Sequence, residues 1–88
     1  MTNTVLLLLE KDLAVDVLHE VAKPDRSEHL VARAIVDNDF GDASLITTRP
    51  QDEHEEHLLR LRKMTPGKAF AATRVLRRTP GVISATLF

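Results

Sequence analysis

The chain has 88 residues, no cysteine and no tryptophan, and its formal net charge is −1. A chain of this length forms one domain that buries only about 60–65% of its unfolded surface. The missing cysteines exclude a disulfide framework and a cysteine-ligated zinc as sources of stability. Association with a second copy is the remaining common route to a larger core, so we expect a homodimer.

The charges are unevenly distributed along the chain. Residues 1–50 carry five Lys or Arg against nine Asp or Glu, whereas all seven basic residues of the second half lie from Arg60 onward and no acidic residue follows Glu56. Such a segment predicts an anionic partner: nucleic acid, an acidic protein surface, or the acidic half of a dimer mate. The apolar run at residues 5–9 is too short to span a membrane, so we expect a cytoplasmic protein without a membrane partner.

The first half reads as a strand followed by two helices. Residues 4–9 form an apolar strand without polar alternation, which predicts burial on both faces or cover by a partner. Residues 11–23 have a helical pattern that Pro24 ends. Residues 28–39 also favour a helix, with the alternative that residues 30–36 form a strand leading through a turn into residues 43–48.

The second half reads as mainly helical. Residues 44–48 are rich in β-formers, and residues 51–63 are read as a charged helix. Thr65 and Pro66 are typical of a helix start and predict a helix at residues 69–78, with Phe70, Ala72, Val75 and Leu76 as its core residues. Residues 82–88 form a terminal strand.

The order strand, helix, Arg26-Ser27-Glu28, helix over residues 2–40 resembles the ribbon-helix-helix repressors and antitoxins. The resemblance implies a homodimer whose N-terminal strands pair into a ribbon that enters the DNA major groove. It places the dimer interface at Val5, Leu6, Leu7, Leu8 and Leu9, with Thr4, Leu6 and Leu8 towards DNA. It implies DNA contacts by Thr2, Thr4, Arg26 and Ser27. The chain departs from the family at Leu6 and Leu8, where the family has polar or basic residues.

Three further arginines are candidates for phosphate contacts. Arg74, Arg77 and Arg78 follow the spacing i, i+3, i+4, so a helix would present them on one face. With the other basic residues of the second half they could hold DNA or a protein partner, such as a toxin, through residues 43–88. The alternative is a solvated helix face balanced by the acidic first half.

Signals for catalysis are weak. His54 and His57 have a spacing that could share a metal ion, but no third ligand is fixed, and an exposed polar helix face explains them better. No nucleophile elbow and no glycine-rich phosphate loop is present. We therefore expect a protein that is not an enzyme and needs no cofactor.

Two fold interpretations follow. The first is a mainly helical α+β domain, with residues 1–42 as the strand-helix-helix dimerisation part and residues 43–88 as a basic helical part with a terminal strand. Its function is that of a small dimeric DNA-binding regulator. The second rests on residues 76–87, which resemble the last helix-strand junction of ferredoxin-like modules, including the amino-acid-sensing ACT type. It implies an antiparallel sheet, a hairpin at residues 30–48 or a three-stranded sheet, and a non-enzymatic domain that binds a small ligand or a partner protein.

Overall fold

The computed structural model describes residues 3–10, 13–23, 29–48 and 56–88. These residues form four strands, which pair into one antiparallel sheet, and three helices. The elements in chain order are β1 (Asn3–Leu9), α1 (Leu13–Val21), α2 (Leu30–Asp37), β2 (Asp42–Thr48), β3 (Glu56–Met64), α3 (Pro66–Arg77) and β4 (Val82–Leu87). The strand order across the sheet is β2-β3-β1-β4, so the first strand of the chain lies inside the sheet.

Strand β1 is the centre of the hydrophobic core. Its odd-numbered residues Val5, Leu7 and Leu9 are buried, and they lie in one cluster with buried residues of all three helices. Across β1, Leu7 pairs with Leu59 of β3 and with Ala85 of β4, and both partners are buried as well. Because paired residues of antiparallel strands point to the same side, this row identifies the face of the sheet that the helices cover.

The helices each contribute one apolar face to the core. Helix α1 buries Ala14 and Val17, α2 buries Val31, Ala32 and Ile35, and α3 buries Ala69, Ala72, Thr73 and Leu76. Helix α3 begins as its sequence predicts, with Thr65 as the N-cap accepting from the Lys68 amide at 3.2 Å and Pro66 in the first turn. The N-cap of α2 is His29, whose Nδ1 accepts from the Val31 amide.

The expectation of a mainly helical, ribbon-helix-helix-like fold is wrong. A ribbon strand must have a free edge for its symmetry mate, but β1 is paired with β3 on one edge and with β4 on the other. The sheet also joins the two parts into which the sequence was divided, since β1 of residues 1–42 lies between two strands of residues 43–88. The helix predicted at residues 28–39 is confirmed over Leu30–Asp37, so the alternative strand at residues 30–36 is wrong.

The charged helix predicted over residues 51–63 is wrong where the structure describes it. Residues from Glu56 to Met64 form β3, which pairs along its length with β1 and β2. Leu59 and Leu61 are buried while Arg60 and Arg62 alternate with them on the other face. This alternation has the two-residue period of a strand, and the pairing of β3 on both edges outweighs the helix propensity of its charged residues.

The entry into β2 depends on a glycine in a left-handed conformation. In the turn that follows α2, Asp39 has a φ of 53° and Gly41 has a φ of 78°. A Cβ at Gly41 would overlap the carbonyl oxygen of Arg62 and lie 2.9 Å from Cγ of Met64. Both the backbone angle and the close approach of β3 therefore require glycine at this position.

Replacing Gly41 with alanine tests this account of the β2 entry. We expect Gly41→Ala to lower the free energy of unfolding by at least about 2 kcal/mol, because the new methyl group forces either strained backbone or a shift of β3. Urea unfolding followed by circular dichroism measures the change. Gly67→Ala is the matched control, since a Cβ there meets no atom within 4 Å and lies on a helix; equal losses in the two variants would contradict the account.

Candidate functional site

The face of the sheet opposite the helices carries an apolar band on three adjacent strands. We call this the open face. Leu8 of β1 pairs with Leu58 of β3, which in turn pairs with Ile46 of β2, and Leu6 lies two residues from Leu8 on the same side. All four side chains are half-buried, and none belongs to the core cluster under the helices. The apolar band therefore consists of Leu6, Leu8, Ile46 and Leu58, which are neighbours on three adjacent strands.

Polar and basic groups surround the apolar band. Arg60 pairs with Leu6 on one side and with Ser44 on the other, and its Nε donates to the Ser44 hydroxyl at 3.2 Å. This bond draws the guanidinium towards β2 and away from Leu6. Ser84 and Thr86 of β4 are exposed on the same face. An apolar centre with a polar rim is the usual composition of a protein-protein interface.

The five residues expected at a dimer interface divide between two environments. Val5, Leu7 and Leu9 lie in the core of the same chain and are not available to a partner. Leu6 and Leu8 lie on the open face, together with Thr4, and remain available. Leu58 and Ile46 were not expected beside Leu8, because residues 51–63 were predicted to form a helix. The alternation of Leu59 and Leu61 with Arg60 and Arg62 is the signal that could have placed Leu58 beside Leu8.

The basic residues of the second half do not form one surface. Arg60 and Arg62 lie on the open face, whereas α3 lies on the opposite side of the sheet. Lys63 approaches Asp42 at 3.4 Å, and Lys68 lies 4.0 Å from Asp39. Exposed ion pairs of this kind contribute little stability, but they place two of the seven cations next to carboxylates of the same chain.

The three arginines of the last helix point in two directions. Arg74 and Arg78 are exposed one turn apart, and the guanidinium carbon of Arg74 lies 5.9 Å from the centre of the Phe70 ring. Arg77 instead turns towards β4, where its Nε donates to the carbonyl oxygen of Ala85 at 3.1 Å. Phe70 and Val75, expected in the core, are 55% and 39% exposed. Ala72 and Leu76, also expected in the core, are buried, and Ala69 is buried with them.

Arg77 lies at the free edge of the sheet. Thr4 and Phe88 exchange both backbone hydrogen bonds, so the alternating pattern of an antiparallel pair directs the polar groups of Ala85 and Leu87 away from β1. An edge strand with free backbone groups is open to pairing with other chains. The Arg77 guanidinium donates to one of these carbonyl oxygens, that of Ala85, and adds a positive charge at the edge. Both effects oppose pairing with another chain.

Only one histidine of the pair expected as a weak metal site belongs to the described residues. His54 lies outside the described residues, as do Thr2, Arg26 and Ser27 of the expected DNA contacts. His57 is in β3, where its Nδ1 lies 3.1 Å from the hydroxyl of Thr47. Within the described ranges, no three His, Cys, Asp or Glu side chains are close enough to hold a metal ion. None of the described helices has the length and apolar character needed to cross a membrane.

No protein-family model, no curated protein and no solved structure matches this chain. Its function therefore has to be inferred from its own surfaces. The open face of the sheet carries half-buried apolar side chains beside Arg60 and Arg62, and the outward face of α3 carries exposed Phe70 and Val75 beside Arg74 and Arg78.

The position of Arg77 gives a test at the sheet edge. We expect Arg77→Ala to lower the free energy of unfolding by about 1 kcal/mol, since the Ala85 carbonyl loses its side-chain donor. We also expect faster aggregation on mild heating, because the edge of β4 becomes accessible. Urea unfolding and light scattering measure the two effects. Arg78→Ala removes the same charge from an exposed outward position, so indistinguishable aggregation rates in the two variants would rule out a protective role for Arg77.

Proposed function

We propose that this chain is a non-catalytic association domain that forms a homodimer by burying the open face of its sheet against a second copy. The observation that carries the proposal is the apolar band across β2, β3 and β1. In an antiparallel sheet with one face in solvent, the residues of that face are normally polar. Here β1, an inner strand of the sheet, has two leucines, Leu6 and Leu8, on that face.

The size of the apolar band sets the strength expected of the dimer. Burying the part of each side chain that is still exposed contributes roughly 1 kcal/mol, which is about 8 kcal/mol for the four residues of both copies. Loss of translational and rotational freedom costs about 4–15 kcal/mol, and a stable interface covers about 800 Å² on each partner. The polar rim must therefore be covered as well, and we expect a reversible dimer of moderate affinity.

The arrangement of charge on the open face is compatible with a second copy. Arg60 and Arg62 follow Leu58 along β3, so they lie towards one end of the sheet. A two-fold axis near Leu8 and Leu58, lying in the interface and perpendicular to the strands, brings the two apolar bands together and leaves the arginines of the two copies at opposite ends. Self-association through one isologous patch is also the commonest form of closed oligomer.

The geometry favours association with protein over binding of DNA by the basic segment. Binding to duplex DNA relies on several cations that follow the phosphates along one surface. In this structure the arginines divide among the open face, the edge of β4 and the outward side of α3.

Charge placed in the apolar band tests the proposed dimer. We expect Leu8→Lys to raise the dissociation constant of the dimer by at least about 100-fold, because each copy loses a buried leucine and introduces an ammonium group into the interface. The monomer should stay folded, since Leu8 is only half-buried within one chain. Sedimentation velocity over a wide concentration range measures association, and circular dichroism measures folding.

Val36→Lys is the matched control for this experiment. Val36 is 53% exposed on α2, on the helical side of the sheet, and should tolerate lysine without change in the dimer. A wild-type chain that sediments as a monomer at every concentration would refute the proposal. Equal weakening by Leu8→Lys and Val36→Lys would show that the copies associate through another surface.

A further inference from the structure

The outward face of α3 is a second surface, independent of the proposed dimer. It consists of Phe70, Ala71, Arg74, Val75 and Arg78, which are all exposed. We call these five residues the α3 face. They recur at the three- and four-residue spacing that places side chains on one side of a helix, opposite the buried Ala69, Ala72 and Leu76. Phe70 and Val75 are 55% and 39% exposed here, although both are large apolar side chains.

We propose that the α3 face binds an acidic amphipathic helix of a partner protein. A concavity of about 380 Å³ lies on this face, lined by Ala71, Arg74, Val75 and Arg78. Its apolar lining comes from one alanine and one valine, between the two arginines. An apolar side chain of the partner fits over Ala71 and Val75, while carboxylates one turn apart on the same helix meet Arg74 and Arg78.

The positive charge of α3 favours an acidic partner. The helix contains no Asp or Glu, and the sequence has no acidic residue after Glu56. The two outward arginines are thus without a carboxylate on their own helix. A second copy is a poor occupant, because a two-fold axis through this face would bring Arg74 and Arg78 of both chains together. Like charges at such an interface oppose association.

The composition of the α3 face favours a peptide over a nucleic acid. Only two cations point outward, and they are one turn apart, which is a short row for contacting phosphates. Phe70 and Val75 add apolar surface that phosphates do not use. Arg74 also lies over the Phe70 ring, on the surface that a base would need for stacking.

Binding of designed probes tests the proposal. The first probe is a fluorescent amphipathic helical peptide with leucine on one side and glutamate on the other, and the second has lysine in place of each glutamate. Single-stranded and duplex DNA oligonucleotides form two further arms. We expect the acidic peptide to bind and to shift the backbone amide resonances of residues 70–78, whereas the basic peptide and both DNA probes bind at least about tenfold more weakly.

Charge reversal on the α3 face makes the test specific. In the double variant Arg74→Glu, Arg78→Glu, we expect affinity for the acidic peptide to fall at least about tenfold and affinity for the basic peptide to rise. Arg62→Glu, on the open face, changes the same charge away from the α3 face and should leave the preference for the acidic peptide intact. The dimer is not required, so the Leu8→Lys variant should bind the acidic peptide as the wild type does.

Two results would overturn the proposal. One is the absence of acidic-peptide shifts at residues 70–78 even at saturating peptide. The other is tighter binding of either DNA probe than of the acidic peptide, lost in the double variant, which would assign the α3 face to nucleic acid instead. Neither result bears on the dimer, because its test uses sedimentation of the chain alone.

Discussion

The pairing of β1 on both edges is the constraint on which the rest of the structure depends. With β3 on one side and β4 on the other, every backbone group along the strand has a neighbouring strand within reach, and the side chains alone decide what each face does. Val5, Leu7 and Leu9 organise the core beneath the three helices. Leu6 and Leu8 give the opposite face an apolar centre that the helices do not cover.

Local sequence patterns predicted most elements, but not how they pair. The strand at the N-terminus, the helices and the Thr65 cap follow from periodicity and capping residues that act within a few positions. Strand β3 was missed because its helix-compatible charges alternate with leucine only over residues 59–62, and its pairing with β1 and β2 depends on residues distant in the chain. A helix at residues 30–37 proved compatible with an antiparallel sheet, so it did not distinguish the two folds.

The candidate site was only partly visible in the sequence for the same reason. Leu6 and Leu8 were recognisable as unusual, because an apolar strand without alternation needs cover on both sides. Their neighbours Leu58 and Ile46 come from strands that contact β1 and β3 only after folding. The arginines of the last helix show the opposite case, in which a sequence pattern predicts one shared surface and the fold divides it. Arg74, Arg77 and Arg78 share a helical spacing, yet Arg77 bonds to Ala85 because α3 lies beside the edge of β4.

The positions of the two proposed surfaces have a consequence for assembly. The open face and the α3 face lie on opposite sides of the domain, since α3 packs against the covered face of the sheet. A dimer formed through the open face therefore leaves both α3 faces in solvent, pointing away from each other. A partner with two acidic helices joined by a linker that spans the dimer would bind with an effective concentration set by that linker, and thus more tightly than either helix alone. Weak exposed ion pairs at each site can in this way add up to stable binding, and dissociation of the dimer would reduce the affinity for such a partner to that of a single helix.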